Sequence, residues 1–202
     1  MSDVTPTRSA AIALAEERRA MHDSYVFLDE KCLLLAQAMM KELRERDRLA
    51  SEWRTALAEA TAALHGALAR HGLGGLQCYP AADLADAEPA LRRWQLMGVP
   101  LQDARFETPA APGAEPVNPS PEAESCRERH VRLLGIAARL AASSGNLERL
   151  HAEYRRSVRR VRALQDVLLP EVDRTIYEIE ARLEELDQDE AVWLRHRRGN
   201  AT

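Results

Sequence analysis

Residues 21–40 read MHDSYVFLDEKCLLLAQAMM, and this stretch decides the fold. Its apolar side chains recur at Met21, Tyr25, Leu28, Cys32, Leu35 and Met39, in alternating steps of four and three. That is the heptad spacing of a helix that buries one narrow stripe against a partner helix. Outward from it, between about Arg8 and about Arg70, there is no proline and a single glycine, Gly66. The pattern predicts one phase slip at Leu43, with the seam resuming through Ala50, Trp53, Leu57, Ala60 and Leu64, a stutter that locally relaxes a supercoil. A helix of roughly 60 residues is about 90 Å long at 1.5 Å per residue, too long to bury in a domain of this size, so it must project.

Composition agrees. Of 202 residues, 4% are aromatic and 30% are charged, which suits a thin apolar seam between solvated faces better than a globular core. Basic and acidic residues number 28 and 32 and are interspersed, giving a net charge of −4. That balance argues against a protein held on nucleic acid or lipid mainly by its overall charge. No apolar run approaches the ~20 residues of a membrane span. The opening residues, with Asp3, lack the basic-then-apolar layout of a secretion signal. Cys32, Cys78 and Cys126 have no metal-site spacing, so a reduced cytosolic protein is the simplest expectation.

His71-Gly72-Leu73-Gly74-Gly75 should end the first helix, because glycine suits the left-handed conformation at a helix C-terminus. Most prolines follow, from Pro80 to Pro121. Within that segment Leu91–Val99 predicts one strand of a small hairpin, and Thr108–Ser120 an irregular, mobile loop. Pro121-Glu122 suits the first turn of a second helix. Its seam runs Leu147, Leu150, Tyr154, Val158, Val161, Leu164, Leu168, Val172, Ile176, Ile179, Leu183, Leu186 and Trp193. Ser143-Ser144-Gly145-Asn146 is a soft spot where that helix should bend or restart. Pro170 removes one backbone donor inside the pattern and should kink the helix without ending it. The expected fold is all-α, a long antiparallel two-helix coiled-coil hairpin with a small irregular or β-hairpin middle segment. Its parts are residues 1–71 (first helix), 72–121 (Gly/Pro-rich middle) and 122–202 (second helix, kinked at Pro170), with both chain ends at one tip.

Candidate chemistry is thin. Gly72-Leu73-Gly74-Gly75 has no following Lys-Ser or Lys-Thr and is not a phosphate cradle. Glu148 and His151 stand at i, i+3, but a di-iron bundle needs a second Glu-x-x-His and further inward glutamates. The remaining histidines lack zinc spacing, and no Gly-x-Ser-x-Gly occurs. No catalytic, cofactor-binding or metal-binding residue is therefore assigned. Met39, Met40 and Cys32 read as seam packing, and Arg195-His196-Arg197-Arg198 suits a helix C-terminus through the macrodipole. Arg155, Arg159 and Arg162 share one helix face with Arg156 and Arg160 beside them. Like charges this close repel by a few tenths of a kcal/mol per pair. They are either solvated charge balanced by Glu153 and its neighbours, or a basic collar that meets acidic surface on a partner. Without an aromatic platform the cluster is a poor nucleic-acid site.

Several motifs carry a resemblance. Val4-Thr5-Pro6-Thr7-Arg8-Ser9 stands near the start and Met97-Gly98-Val99-Pro100 in the middle. Arg159-Arg160-Val161-Arg162-Ala163-Leu164, Leu169-Pro170, Ile176-Tyr177-Glu178-Ile179-Glu180 and Leu183-Glu184-Glu185 stand late. Together, over about two-thirds of the chain, they resemble the central rotor shaft of V-type and A-type rotary ATPases, the D subunit family. The resemblance implies a non-catalytic coiled coil inserted into a ring of catalytic and non-catalytic subunits. It also implies a small central-stalk subunit bound to the shaft and a socket subunit on the membrane rotor, with the complex on the cytoplasmic side of the membrane. The implied role couples ATP hydrolysis or synthesis to proton or sodium transport, without cofactor, nucleic acid or direct membrane insertion. Interface residues implied on this basis are Thr5, Pro6, Thr7 and Arg8, with Arg155, Arg159, Arg162 and Pro170 as collar and curvature. The chain departs from the family pattern at Arg162 (usually Asn), at Ser24 (commonly Gly), at Asp29-Glu30-Lys31-Cys32 and in the linker from Gln77 to Leu96. The related F-type shaft carries a larger α/β middle domain than about fifty residues can supply. A different class shares the hairpin: a free-standing coiled-coil adaptor like the stalk proteins of secretion-type ATPases. Such an adaptor need not carry the Thr-Pro-Thr-Arg start or the Met-Gly-Val-Pro segment.

Overall fold

The computed structural model describes residues 6–79, 89–106 and 116–199. In chain order the elements are α1 (Arg8–Gln77), β1 (Ala90–Leu96), β2 (Val99–Arg105), α2 (Pro121–Ala163), a π-helical turn (Leu164–Leu168) and α3 (Leu169–Gly199). The fold is all-α but for the small two-stranded sheet between the long helices. The chain divides into two compact units, Met1–Leu34 with Tyr154–Thr202, and Leu35–Glu153.

In the first unit, Arg8 pairs with Asp187 (2.9 Å) and Arg18 with Asp173. Partner numbers fall as the α1 numbers rise, so the helices run antiparallel. Ala11, Leu14, Met21, Tyr25 and Leu28 are half-buried and Cys32 is buried, in steps of three and four except for the seven from Leu14 to Met21, where exposed Arg18 stands between. Opposite them lie Val161, Leu164, Val172, Ile176 and Leu183, with Ser157 and Ile179 almost wholly buried. Burial pushes the Cys32 thiol up, helped by Asp29, so it stays a protonated packing group.

What the structure shows at Pro170, where a kink is expected, is a π-helical turn just before the proline. Pro170 cannot donate to the carbonyl one turn back. Immediately before it the helix widens, and Leu169 N–H bonds to the carbonyl of Leu164, five residues earlier. The widened turn holds one extra residue. The seam therefore passes from Leu164 to half-buried Leu169, while Leu168, expected inward, is exposed. Helix resumes beyond the proline, as the sequence predicts.

In the second unit Glu45 meets Arg139 (3.2 Å) and Glu59 meets Arg129 (3.1 Å), again antiparallel. Hydrogen bonding from Arg48 holds the Glu45 carboxyl below the usual carboxylate range; partial burial opposes this and Arg139 adds to it. Such exposed pairs contribute about 0–1 kcal/mol each, so packing must carry the unit. The expected slip at Leu43 does not occur. Leu57 and Leu64 face solvent, whereas Leu35, Leu49, Ala56, Ala60 and Ala67 are buried. These keep the 4-3 spacing unbroken through half-buried Glu42 and Arg46. A polar residue is tolerated at the Glu42 position because buried Ser143 donates its hydroxyl to Glu42 Oε2 (3.0 Å).

Gly72 interrupts α1 with φ 66° and ψ 171°, yet helix continues to Gln77, past the expected terminator. His71 Nε2 then reaches Ser120 Oγ (2.6 Å), which also accepts the Ala123 N–H (3.2 Å) as the N-cap of α2. Tyr79 donates to the carbonyl of Asn118, so the two helices are tied across the middle segment. The expected loop Thr108–Ser120 lies outside the described residues up to 115.

The predicted strand is real but shorter than Leu91–Val99. Met97 (φ 49°) and Gly98 (φ 82°) form a two-residue turn with both central residues left-handed, so Val99 starts the return strand. β2 is the inner strand, with Val99, Leu101 and Ala104 buried, and β1 is almost wholly exposed.

Candidate interaction surfaces

The soft spot predicted at Ser143-Ser144-Gly145-Asn146 is unbroken helix, and it is where the hairpin docks. Small residues there let β2 approach α2. Register leaves the Gln102 backbone pointing away from β1. Asn146, 2% exposed, accepts from Gln102 N–H (2.9 Å) and donates to Gln102 C=O (2.8 Å), standing in for a third strand. Arg149 Nη2 donates to Asn146 Oδ1 (2.7 Å) and Nε to the Pro100 carbonyl (2.8 Å). Sequence reasoning missed this site, although two polar residues on the inward face of a helix were its signal. Lys41, Glu42, Glu45, Arg92, Trp94 and Asp103 line an open polar groove beside it.

The Thr-Pro-Thr-Arg motif is a helix start. Thr7 Oγ1 accepts from Ala10 N–H (3.2 Å), satisfying one orphan donor, and Thr7 C=O accepts the first helical bond from Ala11 N–H (3.1 Å). Half-buried Pro6 precedes the cap. Arg8 follows it and grips both oxygens of Asp187 (2.9 and 3.3 Å), which places the start of α1 beside the late part of α3. Thr5 lies outside the described residues.

Arg155, Arg159 and Arg162 are exposed along one face of α2, and among the described residues none of the three forms an ion pair. Pro170 is exposed on α3, apart from that face in sequence but in the same unit. Leu186 and Trp193, predicted as seam, are 55% and 57% exposed. With Val192 and Leu194 they leave apolar surface on the last turns of α3, where Arg197 stacks 5.0 Å above the Trp193 ring. Among the described residues the inward pattern of α3 ends near Leu183.

Glu148 and His151 are both exposed, and no cluster of three or more potential metal ligands occurs among the described residues. Cys126 Sγ lies 3.6 Å from His130 Nδ1, but that nitrogen is engaged with the Cys126 carbonyl (2.8 Å) and burial pushes the thiol up. The imidazole is placed to hold the helix backbone, not to take the thiol proton. Among the described residues no helix is long and apolar enough to cross a membrane.

Residues 10–198 match the family described as the D subunit of ATP synthase. Over 195 residues the chain is 27% identical to the V-type ATP synthase D subunit of Thermotoga neapolitana, covering 93% of each. It is 26% identical over 190 residues to the A-type ATP synthase D subunit of Thermococcus sibiricus, covering 92% of this chain and 89% of that one. A 106-residue stretch, half of each chain, is 33% identical to the A-type ATP synthase D subunit of Thermococcus gammatolerans.

Proposed function

The chain belongs to the D subunit family of ATP synthases, and on that premise we propose that it is the central-stalk rotor shaft of a V/A-type rotary ATPase or ATP synthase. The observation that carries this reading is the Arg8–Asp187 pair, which joins the capped start of α1 to the late turns of α3. It makes one tip from both ends of the paired helices. That tip, with the exposed apolar residues Leu186, Val192, Trp193 and Leu194 beyond it, is the part that enters a ring of catalytic and non-catalytic subunits. Thr5, Pro6, Thr7 and Arg8 approach the ring's interior.

Such a shaft contributes shape and stiffness, and the bond chemistry belongs to the ring. Sequential nucleotide events in the ring push on an asymmetric pair of helices. The asymmetry is built into this chain by the π turn and Pro170 in one helix, with no counterpart in the facing stretch of α1. Arg155, Arg159 and Arg162 form the basic collar that meets acidic surface on the surrounding subunits. The turning shaft, with a small central-stalk subunit bound, drives a membrane rotor through a socket subunit and moves protons or sodium ions; the reverse path makes ATP. The complex sits on the cytoplasmic side of the membrane, and this subunit stays peripheral.

Affinity purification of the tagged chain from gently solubilised membranes tests the reading. A hexameric ATPase ring with proteolipid rotor subunits is the expected recovery. Recovery of secretion-system components in their place would overturn it.

A further inference from the structure

The outer face of α1 in the first unit is not polar. Val26, Phe27, Leu33 and Leu34 are 42%, 57%, 60% and 44% exposed. At about 100° per residue they fall in one sector, opposite the buried stripe of Leu28 and Cys32. Asp23 and Glu30 lie inside the same sector, both exposed, while exposed Asp29 and half-buried Lys31 flank it about 40° beyond its two edges. A solvated coiled-coil face normally carries polar residues there, so four large apolar side chains around a central carboxylate mark a contact surface.

We infer that this face is a docking strip for an amphipathic helix of a partner protein, one that sets a lysine or arginine between large apolar residues. Charge selects the occupant. An anionic lipid surface would be repelled by Asp23 and Glu30, which lie within the strip itself. A second copy of this chain, paired strip to strip, would bring carboxylates against carboxylates in an apolar setting. A helix with a central cation covers the apolar side chains and neutralises Glu30 at once. Each partner anchor fits between Val26 or Phe27 and the residue seven positions on, the spacing of helix-in-groove recognition.

The inference rests on the shaft reading in one respect, that the partner is sought in the purified rotary complex. A photo-reactive benzoylphenylalanine placed at Phe27, an exposed site where folding is not at risk, is irradiated in that complex. The expected product joins this chain to a helical segment of another subunit with a basic residue flanked by apolar ones. The companion change Glu30→Arg should lower the cross-link yield about tenfold while the complex still forms. A cross-link to lipid or to a second copy, no cross-link to protein, or an unchanged yield in Glu30→Arg would overturn the docking strip and leave the shaft reading intact. Failure of the unaltered chain to enter any rotary complex would overturn both.

Discussion

The carboxamide of Asn146 closes a two-bond ring with the backbone of Gln102, so a helix side chain ends a β-sheet. The pairing is part-buried and supplies both hydrogen bonds that a third strand would have made. Asn146→Leu would leave the N–H and C=O of Gln102 without these partners at a half-buried site. Each such group costs about 1–3 kcal/mol, so unfolding of the second unit should shift by roughly 2–4 kcal/mol. Hydrogen exchange should show Gln102 and its neighbours in β2 losing protection first; unchanged protection there would refute the assignment.

Met97 occupies a left-handed position that costs a side-chain residue about 1 kcal/mol, and Asn is the residue that tolerates it best in such a turn. Met97→Asn should therefore raise stability by about 0.5–1 kcal/mol, read as a higher thermal midpoint. Gly98→Val should lower it, since φ 82° excludes a β-branched residue.

The π turn holds one residue more than an α turn. Deleting Val167, which is 56% exposed, should convert it to regular helix and keep Leu164 and Leu169 on the same face. A melt within about 3 °C of the parent is expected, against a large loss when Glu178 is deleted and the Ile179 stripe rotates out by roughly 100°. Equal damage from both deletions would mean that the π turn is not an insertion in the seam.

Arg155, Arg159 and Arg162 are exposed, so their joint replacement by glutamine should change stability by no more than about 0.5 kcal/mol per site. Ring engagement should fall about tenfold, and the unaltered chain should show the steeper loss of engagement with salt. Normal assembly and normal turnover in the triple variant would remove the collar from the account.

How much of this was readable beforehand depends on which residues carry each feature. The antiparallel helices follow from the 4-3 apolar steps around Met21–Met39, because a long helix with one narrow stripe has few ways to bury it. The seam was lost beyond Met39 because Glu42 and Arg46 occupy inward positions and Ala56, Ala60 and Ala67 carry little hydrophobic signal. Leu57 and Leu64, more apolar but outward, drew the phase the wrong way. Pro170 announced a disturbance, yet nothing local says that the extra residue lies before the proline. Ser143 and Asn146 read as a weakness because their partners, Glu42 and Gln102, are 101 and 44 residues away. The arginine face was visible from spacing alone. That the helix ends share one tip follows from the antiparallel pairing, whereas the Thr7 cap and the Arg8–Asp187 contact, which spans 179 residues, come from the structure.

The central claim is that this chain turns inside a ring. Cys78 is exposed, while Cys32 is buried and Cys126 half-buried, so a probe can be attached selectively at Cys78. With the catalytic ring of the purified complex immobilised and ATP supplied, the probe should rotate in one direction and stop when ATP is withdrawn. A probe that stays fixed relative to the ring while ATP is hydrolysed would contradict the account.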